Sequence, residues 1–115
     1  MSLMLVLGSV AIAQTNIGAV KCKMCHNKPT TGEQYKKWSE NKHSKAFETL
    51  KGEKSMAYAK EKGIADPSKE AKCLKCHSTY HAVSADIRGT LTEAEGVSCE
   101  TCHGPGSKYK AMAIM

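Results

Sequence analysis

Cysteine and histidine recur in this chain in one short pattern. All six cysteines fall into pairs with two residues between the partners, and a histidine directly follows the second cysteine of every pair. The three copies are CKMCH at 22–26, CLKCH at 73–77 and CETCH at 99–103. Cysteine sulfur forms covalent and metal bonds, and neutral imidazole is a common metal ligand. The pattern therefore indicates three sites of one kind, each binding a metal or a metal-containing group.

Covalent attachment of c-type haem accounts for every residue of this pattern. Zinc ribbons need two C-x-x-C pairs for each metal, so three pairs would leave one pair unused. A thioredoxin-like dithiol requires a β-α-β setting, which the sequence does not indicate. Three disulfides would suit an exported chain but would leave the three histidines unexplained. Three covalently bound haem c groups are thus the preferred interpretation, with zinc and disulfides as the alternatives.

In this interpretation each cysteine pair binds the two vinyl groups of one porphyrin, and the next histidine is the proximal iron ligand. The haem-binding cysteines would be Cys22, Cys25, Cys73, Cys76, Cys99 and Cys102, and the proximal ligands His26, His77 and His103. His43 and His81 are the two remaining histidines and the candidate distal ligands. His81 follows His77 too closely to reach the opposite face of the same haem, so we expect it to serve the first or third haem.

The two remaining histidines cannot supply a distal ligand to all three irons. The third iron would be five-coordinate, or would take another ligand such as water, a histidine from another chain, or one of Met56, Met112 and Met115. Methionine more often serves packing than ligation in a helical pattern, so none of these methionines is preferred. The ligand count leaves open which iron lacks a histidine.

The chain is poor in the residues that build a hydrophobic core. From Gln14 onward, Leu, Ile, Val and Phe account for 11 of 102 residues, well below the roughly 20% under which a charged chain is expected to be disordered. Three haem groups would supply the missing apolar bulk. The net charge of +6 comes with no nucleic-acid-binding motif, so we expect no nucleic-acid partner. Glu93, Glu95 and Glu100 are expected to be ordinary solvated carboxylates.

Two segments are predicted. Residues 1–13, MSLMLVLGSVAIA, carry no charge and end in small residues, which indicates a signal peptide, with a retained N-terminal anchor as the alternative. This run is too short for an integral membrane span, which needs about 20 residues. Residues 14–115 are expected to form a single triheme cytochrome c domain. Export predicts a periplasmic or extracellular location.

The expected fold is mainly α with much irregular loop, in which short helices wrap around covalently bound haems and no significant sheet forms. Helices are expected to start at Thr31 or Gly32, to cover 44–50, to cover 54–62 with Gly63 as the stop, and to run from an Asp66 cap into the second motif. Tyr35 and Trp38 should share one face of the first of these helices.

Two stretches resemble the cytochrome c-554 family of multihaem cytochromes. In CKMCHNKPTTGEQYKKWSENKHSKAFETL the first motif is followed by a tryptophan and then by a histidine in an H-x-K-A segment, and GVSCETCHGPGSKY is similar to the family's G-V-x-C-E-x-C-H-G-P-G. The resemblance covers about residues 20–110. It implies that His43 caps the haem of a distant motif, the third, opposite His103, and that haems pack in close pairs. The family usually continues to a fourth motif, so the chain is either a short triheme version or part of a longer protein.

The leading functional hypothesis is electron transfer between exported redox-partner proteins, because close haems pass single electrons and no catalytic dyad or triad is visible. One alternative is an enzyme that reduces a small nitrogen or oxygen species at a five-coordinate iron. The other is a subunit of an oligomeric cytochrome assembly that shares ligands between chains.

Overall fold

The computed structural model describes residues 13–115, so the predicted signal peptide lies outside the described residues except for Ala13. Short helices joined by turns and loops make up this part of the chain. The α-helices are α1 (Ala19–His26), α2 (Gln34–Glu40), α3 (Ala46–Thr49), α4 (Glu53–Glu61), α5 (Ala71–His77), α6 (Thr79–Ala82) and α7 (Glu100–His103). Single turns of 3₁₀-helix cover Pro29–Thr31, Ala85–Ile87, Glu93–Glu95 and Gly106–Lys108.

Residues 13–115 contain no β-strand, which confirms the mainly α class predicted from the sequence. Within the same residues no helix is long and apolar enough to cross a membrane.

Two of the predicted helices form close to where local sequence signals place them. The helix expected near Thr31 or Gly32 begins at Gln34, and its Tyr35 and Trp38 rings lie 5.4 Å apart between centroids, as the shared face requires. Helix α4 ends at Glu61, and Gly63 adopts a φ of 69°, a left-handed conformation that glycine adopts without a steric penalty. Local propensity and turn chemistry are sufficient for these elements.

The start of the helix that carries the second motif differs from the prediction. Asp66 does not cap α5, which begins five residues later at Ala71. The Asp66 carboxylate instead accepts hydrogen bonds from the backbone N–H and the hydroxyl of Ser68, at 2.9 and 2.7 Å. These bonds close a separate turn, and the side chain of Glu70 takes over as the N-cap by accepting the Lys72 N–H. The prediction was wrong because a short polar side chain caps a turn as readily as a helix.

The apolar core is as small as the composition predicts. One cluster of buried side chains joins α3 to α5 through Phe47, Leu50 and Leu74, and Cys73 packs against it. The other buried hydrophobic residues in the described chain are Ala19, Ala59 and Leu91. Several large apolar side chains are exposed instead, with Met24 75% and Met112 83% accessible. The first cysteine motif, which contains Met24 and adjoins Met112, therefore lies beside uncovered apolar surface.

Candidate haem-binding sites

The three motifs share one local structure. His26, His77 and His103 are the last residues of α1, α5 and α7, respectively. The two cysteines of each motif are three residues apart on helical backbone, and Cys99, just before α7, also has helical dihedral angles. Residues at this spacing lie one above the other on the same helix face. Each motif thus presents two sulfur atoms on one face, followed by an imidazole where the helix ends.

The fold brings the first and third motifs together. Their side chains line a common cavity of about 360 Å³, whose walls are Cys22, His26, Gln34, Tyr35, Cys99, His103, Tyr109 and Met115. As free thiols, Cys22 and Cys99 influence each other, and this interaction is the main cause that raises the pKa of Cys22 and lowers the pKa of Cys99 to about 7. Two motifs separated by more than 70 residues therefore meet at their first cysteines.

A second cavity, of about 500 Å³, adjoins the first motif. It is lined by Ile17, Lys21, Cys22, Met24, Cys25, His26, Thr90, Tyr109, Lys110, Met112 and Met115. The Sδ atom of Met115 lies 3.2 Å from Nε2 of His26, the nitrogen that a proximal histidine uses for iron. Of the three methionines considered as ligands, Met112 and Met115 therefore lie beside the first motif. Met56 lies on α4, away from these two cavities.

The second motif is anchored to α3. Nδ1 of His77 lies 2.9 Å from the carbonyl oxygen of Ala46. A carbonyl only accepts hydrogen bonds, so Nδ1 carries the proton and donates it, and Nε2 keeps its lone pair. Metal-binding histidines commonly have this arrangement, because the outer hydrogen bond selects the tautomer and orients the ring. His77 is thus held in the form that can bind iron.

Threonine and serine side chains connect the second motif to the third. The hydroxyl of Thr79 in α6 accepts the Ser98 N–H at 2.8 Å and lies 2.5 Å from the hydroxyl of Thr101. The backbone N–H of Thr79 also donates to the Gly96 carbonyl at 2.8 Å. The helix that follows His77 is therefore bound directly to the segment that enters the third motif.

The structure places His43 beside the segment that leads into the third motif. Its carbonyl oxygen accepts the Val97 N–H at 2.9 Å. Gly96 packs so closely that an added Cβ atom would lie 2.6 Å from the same oxygen. The His43 side chain is exposed. The His43 backbone is thus hydrogen-bonded to Val97, which lies two residues before Cys99, although more than 50 residues separate His43 from Cys99 in sequence.

His81 lies away from the two cavities of the first and third motifs. It lines a different cavity, of about 500 Å³, with Phe47, Lys51, Ser68, Lys69, Leu74 and Glu93. Its Nε2 is 2.7 Å from a carboxylate oxygen of Glu93. Leu74 belongs to the second motif, so the cavity that His81 lines adjoins this motif.

Two of the three carboxylates expected to be solvated bind backbone amides instead, and for these that expectation was wrong. Glu100 is only 4% exposed, and its carboxylate accepts the N–H groups of Ile17 and Gly18 at 2.8 Å each. Glu95 accepts the Ala19 N–H at 2.9 Å. The segment before the first motif, which arrives from far away in sequence, covers these groups. A signal was present in the sequence, since the glutamate of the third motif also occurs in the family pattern that it resembles.

The residues at the motifs fit covalently attached haem. Each site offers two sulfur atoms on one helix face and one imidazole, and the two cavities beside the first and third motifs fall within the roughly 300–1,000 Å³ typical of cofactor sites. The exposed methionines beside α1 provide apolar surface for a macrocycle to cover.

Comparison with known proteins agrees with this chemistry. The family model described as cytochrome c554 and c-prime matches residues 21–104. Cytochrome c-554 of Nitrosomonas europaea is 32% identical over 99 residues, which cover 81% of this chain and 40% of the relative. The chain thus spans less than half the length of that relative. No solved structure matched significantly. The chain therefore belongs to the cytochrome c554 and c-prime family, and as a c-type cytochrome it carries covalently bound haem c.

Proposed function

We propose that this chain is a triheme electron-transfer cytochrome that works outside the cytoplasm. Cys22 and Cys25 would hold the first haem, Cys73 and Cys76 the second, and Cys99 and Cys102 the third, with His26, His77 and His103 as the proximal ligands. The observation that carries the proposal is the meeting of Cys22 and Cys99 at one cavity, which is lined by the first cysteine and the histidine of both motifs. Haems attached to these two motifs would be neighbours.

Each bound haem would supply a one-electron ferric/ferrous couple. The protein's part is to hold the groups in a fixed arrangement and to limit their contact with water. The hydrogen bond from the Ser98 N–H to the Thr79 hydroxyl serves the first purpose by joining the second motif to the third. The bonds from the Ile17 and Gly18 N–H groups to Glu100 join the third motif to the segment that enters the first. Electron transfer needs no bound substrate, and this rigid arrangement of motifs is suited to it.

We propose His43 as the distal ligand of the third haem. Its backbone is held beside Gly96 and Val97, close to the third motif, and its side chain is exposed. The imidazole could therefore turn toward the third haem by rotation about its side-chain bonds alone. His81 is the weaker candidate, because its Nε2 would have to leave Glu93 before it could bind iron. Histidine on both faces gives haem a lower potential than histidine with methionine.

An iron without a second histidine supports one alternative function. His43 and His81 are two spare histidines for three irons, and an open coordination position could bind and reduce a small nitrogen or oxygen species. Met115, with its sulfur 3.2 Å from the ring of His26, is the competing ligand for such a position at the first haem.

Export is proposed because c-type haem is attached outside the cytoplasm and because residues 1–13 have the character of a signal peptide. The location would be the periplasm or the cell exterior, with exported redox proteins as partners. Mass spectrometry of the secreted protein would test this, since the proposal expects a mature N-terminus near Gln14.

The decisive experiment is a haem count combined with electron paramagnetic resonance on the purified holoprotein. We expect three haems per chain by mass and by pyridine haemochromogen absorbance, with low-spin ferric signals from the histidine-capped irons. A count other than three contradicts the triheme assignment. Stoichiometric binding of CO to one ferrous haem would favour the enzyme, and a protein inert to CO would favour the electron carrier.

A further inference from the structure

The buried carboxylate of Glu100 lies between the first and third motifs. Glu100 is itself one of the two residues between Cys99 and Cys102, and it begins α7. Its Oε1 accepts the N–H groups of Ile17 and Gly106, at 2.8 and 2.5 Å, and its Oε2 accepts the Gly18 N–H at 2.8 Å. One side chain thus joins the segment before the first motif to the turn after the third.

All three of these partners are donors. An ionised carboxylate only accepts hydrogen bonds, whereas a protonated one must also donate, so the arrangement suits the charged form. None of the ion pairs found among residues 13–115 includes Glu100. Neutral peptide groups stabilise this charge without cancelling it, and the site therefore retains a net negative charge inside the protein.

The field of this charge reaches the surrounding cavity walls. Burial is the main reason that the pKa of Tyr109 is raised, and the charge of Glu100 is the next. The carboxylate also accepts the N–H of Ile17, a residue that lines the cavity beside the first motif. Tyr109 and Cys22 line both cavities of the first and third motifs. The carboxylate is therefore close to both places where haem would sit.

The turn after the third motif packs closely against the Glu100 carboxylate. A Cβ atom added to Gly106 would lie 2.5 Å from the Ile17 side chain and 2.8 Å from Oε1 of Glu100. The carboxylate is therefore enclosed by backbone on both sides, and its position relative to α7 is set by packing.

We propose that Glu100 is a positioning residue that fixes a negative charge between the first and third haem sites and lowers the reduction potentials there, most strongly at the third. This inference rests on the proposed attachment of haem at these motifs. One electron converts each ferric centre to the ferrous state and removes one positive charge. A nearby fixed negative charge stabilises the ferric form, and it does so more strongly in a low-dielectric interior than in water.

The test is a redox titration of Glu100→Gln holoprotein, with dithionite as the reductant, followed by absorbance and electron paramagnetic resonance. Glutamine is close in shape and keeps one carbonyl oxygen for the amides but removes the charge. We expect a positive shift of the midpoint potential of the third haem, a smaller positive shift at the first, and none at the second. The matched control is Glu61→Gln, which removes an equal charge from an exposed residue of α4 and should shift none of the three.

Glu100→Asp separates charge from structure. Its shorter side chain cannot reach all three amides, so it should lose stability while its potentials stay near those of the unmodified protein. The proposal is overturned if Glu100→Gln shifts the potentials no more than Glu61→Gln, or if Glu100→Gln and Glu100→Asp shift them equally.

Haem is counted first in every variant, so that failure of the triheme assignment is distinguished from failure of this inference. If Glu100→Gln does not retain three haems, Glu95→Gln takes its place, because the Glu95 carboxylate accepts the Ala19 N–H, next to the Gly18 N–H that Glu100 accepts. It should shift the first haem in the positive direction. The absence of that shift overturns the electrostatic role.

Discussion

The indole N–H of Trp38 donates a hydrogen bond to the carbonyl oxygen of Val97, with 2.9 Å between nitrogen and oxygen. The N–H of the same Val97 donates to the carbonyl of His43, also at 2.9 Å. The backbone carbonyl of Val97 is thus bound by α2, and its backbone N–H by the loop that follows α2. These two bonds hold the N-terminal half of the chain against the entrance to the third motif.

Replacing Trp38 with phenylalanine should destabilise the holoprotein by about 1 kcal/mol, the typical net value of one such hydrogen bond. The phenyl ring keeps part of the contact with Tyr35, but the Val97 carbonyl loses its donor. Guanidinium unfolding followed by circular dichroism measures the change. Tyr58→Phe, at a residue 60% exposed on α4, is the control, and equal stabilities of the two variants would contradict the role given to Trp38.

Replacing Gly96 with alanine should destabilise more than the same change at Gly63. Both residues have positive φ, 61° and 69°, so alanine is strained at either position, by roughly 1–3 kcal/mol. Only at Gly96 would the added Cβ also collide, at 2.6 Å from the His43 carbonyl; at Gly63 it would meet nothing within 4 Å.

The Gly96 variant also has a spectroscopic consequence. Because the collision pushes His43 away from the third motif, Gly96→Ala should increase the high-spin ferric signal, whereas Gly63→Ala should leave it unchanged. Thermal unfolding and electron paramagnetic resonance on the same samples measure both effects. Identical behaviour of the two variants would show that the approach of His43 to Gly96 is unimportant.

Replacing His43 with alanine should open one coordination position at the third haem. We expect one low-spin ferric signal to become high-spin, and one ferrous haem per chain to bind CO. Lys42→Ala, at the exposed neighbouring residue, should do neither. An unchanged low-spin spectrum in His43→Ala would remove His43 from the ligand set.

Replacing both cysteines of one motif with serine should remove one haem, which whole-protein mass reports directly. Loss of Cys73 and Cys76 should leave the absorbance and potentials of the other two haems nearly unchanged. Loss of Cys99 and Cys102 should also perturb the first haem, because the two motifs share a cavity. Equal perturbation by both double variants would contradict the pairing of the first and third sites.

The local structure of this protein could be predicted in good part. The helix with Tyr35 and Trp38, the stop at Gly63 and the absence of sheet follow from signals that lie within a few residues of one another. Asp66 was misassigned because its side chain can close a turn or cap a helix, and only the neighbouring Ser68 and Glu70 decide between the two.

The placement of side chains around the motifs could not be predicted in the same way. Glu100 became buried because Ile17 and Gly18 cover it from a distance of more than 80 residues in sequence. The His81 side chain contacts Glu93, 12 residues away in sequence, and lines neither of the two cavities beside the first and third motifs. Such contacts produce no periodic pattern in the sequence, because each depends on how the intervening chain folds.

The sequence by itself predicted the chemistry of each site, because the two thioether bonds and the proximal ligand of a c-type haem require only five consecutive residues on one helical turn. The family also follows from such local patterns. Tertiary structure alone decided which motifs are neighbours and which groups surround them. Cys22 meets Cys99, and a buried carboxylate lies beside both, because hydrogen bonds across long sequence separations fold the two ends of the chain together.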